Sequence, residues 1–342
     1  MNEKNRKSII ISIGIFLAVL AAATLFGVLY FRLQFHKLPV LYQETESFDH
    51  HYAFICGDMQ DHFHNAVYEA AKDAFAQDND YLEFMGRNLN TNYSRYDLMK
   101  IAIDAKLDGI IVESNESDEM TKLIDRADEA GIPVITLGVD NTSSRRKSYV
   151  GYGYYEVGQN YGKEILKQVR DETQTVLILM SVDAENLSQN IIFQGIKDTI
   201  DKSESSKYFK LRTMAVEETS TFSAEETISG LIMGNEELPE FMICLNELYT
   251  TCALQALVDY SQVGETNVYG FYTNNTILQA IEKNILSGTV TVDTKQMGRY
   301  CMEAMKEYET AGFVNEYMPA DITVITGENI DEYLDREVRY EE

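Results

Sequence analysis

Residues 108–138 read DGIIVESNESDEMTKLIDRADEAGIPVITLG. Two short apolar runs, GIIV and IPVITL, flank a longer amphipathic segment. The runs are the length of buried strands and the segment between them has the length of a helix, so the stretch reads strand–helix–strand. A strand that ends in a parallel sheet delivers its last side chains to the crevice beyond its carboxyl end. For the first run that residue is Glu113. For the second they are Gly138, Val139, Asp140 and Asn141.

The same rhythm extends in both directions. Apolar runs occur at 52–57, 81–86, 148–153, 175–180, 211–217, 241–245, 267–272, 288–293 and 321–326. Most are separated by helix-like stretches such as 155–170 and 247–262. Strands alternating with helices predict parallel sheets covered on both faces. Eleven strands in about 280 residues exceed one small sheet, so two doubly wound lobes are expected.

The N-terminus carries a different signal. Residues 9–31, IIISIGIFLAVLAAATLFGVLYF, hold no charge and follow Lys4, Arg6 and Lys7. Their length suits a helix across a bilayer core of roughly 30 Å, with the basic end in the cytoplasm. Apolar residues continue past the small AAA at 21–23, which points to an uncleaved signal anchor. Residues 1–8 are then cytoplasmic, 32–50 form a stalk, and the rest is extracytoplasmic, with the protein placed in the cell membrane.

The chain has 342 residues, with 29 basic against 55 acidic, a formal net charge of −26. Nucleic acid is a poor partner for that surface, since phosphates demand Lys and Arg. Four scattered cysteines do not make a disulfide framework. GYGYYEVG (151–158) has Glu156 where a dinucleotide fingerprint needs glycine, and Gly151 and Gly153 read as a strand–helix turn. DHFH (61–64) offers metal-capable side chains, but it reads as a loop entering a helix where Asp61 equally suits an N-cap, and metal is the weaker reading. There is no nucleophile elbow, zincin motif or P-loop. No catalytic residue, cofactor or metal is assigned, and the chain does not read as an enzyme.

Residues 108–138 are similar to the third-strand, helix and fourth-strand unit of the type I periplasmic sugar-binding proteins, relatives of ribose- and galactose-binding proteins. RRKSYVGYGYYEVGQNYGKEI resembles their crossover into the second lobe, FMICLNELYTTCALQAL the strand ending in Asn-Asp, and 267–305 their final core unit. The resemblance spans about 50–326. It implies two lobes joined by a three-segment hinge, one from 51–152 and 292–320, the other from 153–291 and 321–342. A sugar or related polyol would be held between them by ring stacking and paired polar groups, with hinge closure reported to a membrane sensor kinase or an ABC permease. A scaffold that kept the fold and lost the ligand is the alternative.

Carried over position by position, the resemblance implies a ligand site of Asp61, Phe63, His64, Glu113, Phe222 and Asn246. Asp140 and Arg146 join it through a related D-S-D and S-x-R pattern. Asn190 stands near a position where the family has arginine and this chain has Ile192. Tyr272 replaces an aspartate, Val292 a glutamine, and Gly138-Val139 an Asp-Arg pair. Each lost polar partner costs about 1–3 kcal/mol of hydroxyl pairing.

Overall fold

The computed structural model describes residues 20, 22–27, 30, 47–89, 93–182, 187–217, 221–234 and 237–337. Most of the expected span at 9–31 lies outside them. Residues 22–27 are helical, and among the described residues no helix is long and apolar enough to cross a membrane. Residues 48–342 form one compact unit.

Among the described residues, twelve strands are arranged in two six-stranded sheets. The first contains β1 (His51–Ile55), β2 (Tyr81–Phe84), β3 (Gly109–Glu113), β4 (Val134–Leu137), β5 (Ser148–Gly151) and β11 (Tyr317–Pro319), in the order β11-β5-β4-β3-β1-β2. The second contains β6 (Gln174–Ser181), β7 (Phe209–Val216), β8 (Phe241–Cys244), β9 (Asn267–Phe271), β10 (Gly288–Val292) and β12 (Ile322–Thr326), in the order β12-β10-β9-β8-β6-β7. All pairings are parallel except β10–β12, which is antiparallel. The wholly parallel expectation therefore fails at that edge. One strand, β11, is additional: three residues ending in proline show no apolar run.

Alternation along each strand sends side chains to opposite sheet faces. In the first sheet Tyr52 and Phe54 point toward α1 (His62–Ala76) and α9 (Thr294–Ala311). Ala53 and Ile55 point toward α2 (Arg95–Ala105) and α3 (Asp118–Glu129). In the second, Val176 and Ile178 face α4 (Tyr154–Leu166) and α5 (Leu187–Asp201). Leu177 and Leu179 face α6 (Thr221–Met233) and α7 (Glu247–Asp259). The remaining helices are α8 (Asn275–Glu282) and α10 (Asp331–Glu337). All four cysteines are buried and free. Burial pushes the Cys252 thiol up to about 11, far from the thiolate.

The chain passes between the sheets three times: from Gly151 to Tyr154, from Val292 to Thr294, and from Pro319 to Ile322. Strand ends and helix starts of both sheets meet along these crossings.

Candidate functional site

Asp61 caps α1, its Oδ1 accepting from the His64 backbone N–H at 2.7 Å. The His64 Nδ1 lies 3.1 Å from the same oxygen but makes no hydrogen bond. Burial alone would raise the Asp61 pKa; its contacts with His64 hold it below the usual carboxylate range. Burial likewise opposes a charged His64, yet Asp61 and Glu113 keep that imidazole above its ordinary value.

Glu113, at the end of β3, accepts from the Gly57 N–H at 2.6 Å through Oε2. Its Oε1 lies 3.4 Å from Arg95, whose guanidinium also donates to the Glu113 carbonyl at 3.3 Å. Arg95 begins α2 and was not read from the sequence. It sits in a polar helix start with no spacing that ties it to β3.

The end of β4 is organised by backbone. Gly138 has φ of 75°, a left-handed geometry that favours glycine. Its carbonyl accepts from the hydroxyls of Tyr149, at 2.6 Å, and Tyr154, at 2.7 Å. Asp140 and Arg146 form a fork: Arg146 Nε donates to Oδ1 and the second arm reaches Oδ2 at 2.7 Å. Asn141 is buried and bonds the Asn115 carbonyl and Thr121 Oγ1, holding the start of α3.

From the second sheet, Asn246 caps α7 by accepting from Tyr249 N at 2.8 Å. Tyr272 follows β9 with φ of 70°, which is unusual for a bulky residue. Its hydroxyl donates across the cleft to the His62 carbonyl at 3.4 Å, and its ring stands 5.6 Å from Phe63 at 78°. Phe63 also meets Tyr152 at 6.2 Å and 71°, and Tyr152 meets Tyr154 and Phe271 at 4.8 and 6.0 Å. Tyr152 lies in the first crossing. It was read only as turn sequence.

A second bridge joins the two helix starts. His62 Nδ1 is 2.9 Å from Glu247 Oε1, which also accepts from Asn274 at 2.6 Å. The Glu247 hydrogen bond and charge raise the His62 pKa. Asp61, the other carboxylate acting on it, pushes the same way. The pair therefore closes the lobes most firmly below the ordinary histidine value near 6.5. Its contribution is lost as pH rises through the raised value. Small-angle scattering across that window should show the closed fraction falling with pH. His62→Asn should flatten the profile.

The structure thus brings Asp61, Phe63, His64, Glu113 and Tyr272 around one cleft, with the Asp140–Arg146 fork at the neighbouring strand end. It gives Asn246 a capping role. Asn190 stands exposed in the first turn of α5, and Phe222 is 71% exposed on α6, apart from the ring cluster formed by Phe63, Tyr152 and Tyr272. Ile192 and Val292 are buried in the core.

GanP, a glucose-galactose binding protein from Geobacillus stearothermophilus, superposes with a TM-score of 0.69 at 22% identity, over 82% of this chain and 98% of that one. A solute-binding protein of an ABC transporter from Agrobacterium vitis, solved with D-fucose, gives 0.72 at 18%, over 82% and 97%. A XylFII–LytSN complex gives 0.70 at 22%, over 82% and 99%. These likenesses show the type I periplasmic binding protein fold. No curated protein sequence matches significantly. The sequence pattern of the periplasmic binding protein domain matches residues 52–312. On that match, which spans most of its length, the chain belongs to the periplasmic binding protein domain family.

Proposed function

We propose that this chain is a membrane-anchored, extracytoplasmic solute-binding protein, not an enzyme, that takes a sugar or sugar-like ligand between its lobes. The carrying observation is the convergence of Phe63, Tyr152 and Tyr272 with the acceptor Glu113 in one cleft. Rings cover the apolar face of such a ligand, and carboxylates take its hydroxyl protons. Closure follows from ligand contacts made only when the lobes meet. Neighbours solved with D-fucose and named for glucose and galactose support the ligand class. The uncharged run at 9–31 behind Lys4, Arg6 and Lys7 supports the anchor.

The downstream partner is a membrane sensor kinase or an ABC permease. The anchor favours the first, and a neighbour of this fold occurs in a complex with LytSN. A scaffold role is the second reading, favoured by the side chains that already join the lobes, His62 to Glu247 and Phe63 to Tyr272. Thermal unfolding of residues 48–342 against sugars and polyols separates the two. A ligand at a hundredfold excess over its Kd should add about 2.7 kcal/mol. A flat response to every compound favours the scaffold.

A further inference from the structure

β7 is the outer strand of the second sheet, with no strand on its far side among the described residues. It is eight residues long and stays in register with β6 from Phe209 to Val216, without a bulge. Phe209 and Leu211 turn toward the face covered by α4 and α5. Lys210, Arg212, Met214 and Val216 alternate with them on the opposite face. There Val216 is buried with α6, Met214 is half-buried, and Lys210 and Arg212 are exposed.

A groove of about 240 Å³ lies against this exposed half. Leu177 of β6, Met214, Leu231 of α6 and Leu238 give it apolar walls. Arg212 lines it from β7, and Glu237 and Glu240 line it from the segment leading into β8. Glu240 accepts from the Thr175 backbone N–H at 2.5 Å, which ties its charge to the start of β6. The groove therefore sits at the amino ends of β6 and β8, whereas the cleft lies past the carboxyl ends of the strands.

The charge here runs against the rest of the chain. Residues 202–212 hold Lys202, Lys207, Lys210 and Arg212 against Glu204, in a chain of 29 basic and 55 acidic residues. Lys210 and Arg212 have no ion-pair partner among the described residues. A free edge offers backbone donors and acceptors to a further strand, and basic residues on it keep copies apart, since two β7 strands would bring like charges together. A guard alone needs no groove beside it. The groove gives an incoming strand a seat for an apolar side chain, and the two cations fix the sign of its charge.

We propose that β7 is a docking edge for an extended, acidic segment of a partner protein. The segment adds a strand, its backbone pairing with β7 and its side chains read by alternation. Carboxylates on one face meet Lys210 and Arg212, and a large aliphatic side chain of the same row enters the groove beside Met214. Glu237 turns a further carboxylate away from the groove. The edge lies at the end of its sheet away from the cleft, so docking is independent of what the cleft holds.

The test is fluorescence anisotropy with the full 342-residue chain in detergent micelles. Probes are the labelled peptides TEVEVLVT and its reverse, TVLVEVET, capped at both ends, since either strand direction satisfies the edge. Controls carry Lys for Glu, or N-methyl groups on alternate residues, which block pairing and keep the charge. One acidic peptide is expected to bind about tenfold tighter than both of its controls. The double variant Lys210→Glu, Arg212→Glu changes two exposed residues outside the cleft. It should reverse the preference in favour of the Lys peptide and leave Tm unchanged. Equal binding by the N-methylated peptide would show charge attraction without strand addition and overturn the inference. No binding by either acidic peptide would overturn it too, as would phosphatidylglycerol micelles binding in place of peptide through the same two cations.

Discussion

Replacing Gly158 with alanine is expected to destabilise the fold by about 3 kcal/mol or more, at the upper end for overpacking. Gly158 lies on α4 where it crosses α5. A methyl group there would sit 2.0 Å from the Ile192 carbonyl oxygen and 2.9 Å from the Gly195 Cα. Both obstacles are backbone, so no side chain can turn aside. Relief requires the helices to separate, which opens the core around Val157, Tyr161 and Ile196. Gly230, on α6 with nothing near its missing Cβ, is the control. Alanine there should be neutral or stabilise by up to about 1 kcal/mol through helix propensity. Urea unfolding of the two variants reads the difference. Equal behaviour would mean that the α4–α5 approach is looser than described.

Lys306→Met should cost about 3 kcal/mol. Asp80, just before β2, has a fully buried side chain paired with Lys306 on α9 and, at 2.8 Å, with His50. Glu309 lies 3.4 Å from the same ammonium and accepts from the Tyr52 hydroxyl at 2.6 Å. Burial works against the Lys306 charge, but Asp80 and Glu309 hold its pKa above the ordinary value. Removing the ammonium leaves a carboxylate in the core with one partner, and such losses run to about 3–5 kcal/mol. Lys306 keeps some exposure, which sets the lower figure. Adding Asp80→Asn to the variant should recover part of the loss. No recovery in thermal unfolding would show that the lysine acts through packing of its stem instead.

Most of the fold was legible because its central strands are buried on both faces and read as unbroken apolar runs, GIIV and FMIC among them. β11 escaped because three residues ending in Pro319 bury too little to leave a pattern. The direction of β12 was not legible either: orientation depends on where the returning chain enters the sheet, and side-chain alternation is the same both ways.

The candidate site was legible where a residue ends a strand, as Glu113 does, or follows one directly, as Tyr272 does. Arg95 was not, because its partner lies 18 residues away on another element. Tyr152 and Tyr154 sit in a glycine-rich turn whose sequence explains itself without a cleft. Asn246 shows the converse: its position was read correctly, and the backbone of α7 takes up its side-chain oxygen.

The Gly138 carbonyl holds Tyr149 from the first sheet and Tyr154 from the first turn of α4, immediately past the first crossing. A point beside a rotation axis moves little when the bodies turn. In a hinge rotation at that crossing this oxygen would serve as a bearing, with α4 turning about it while the Tyr154 bond stays made.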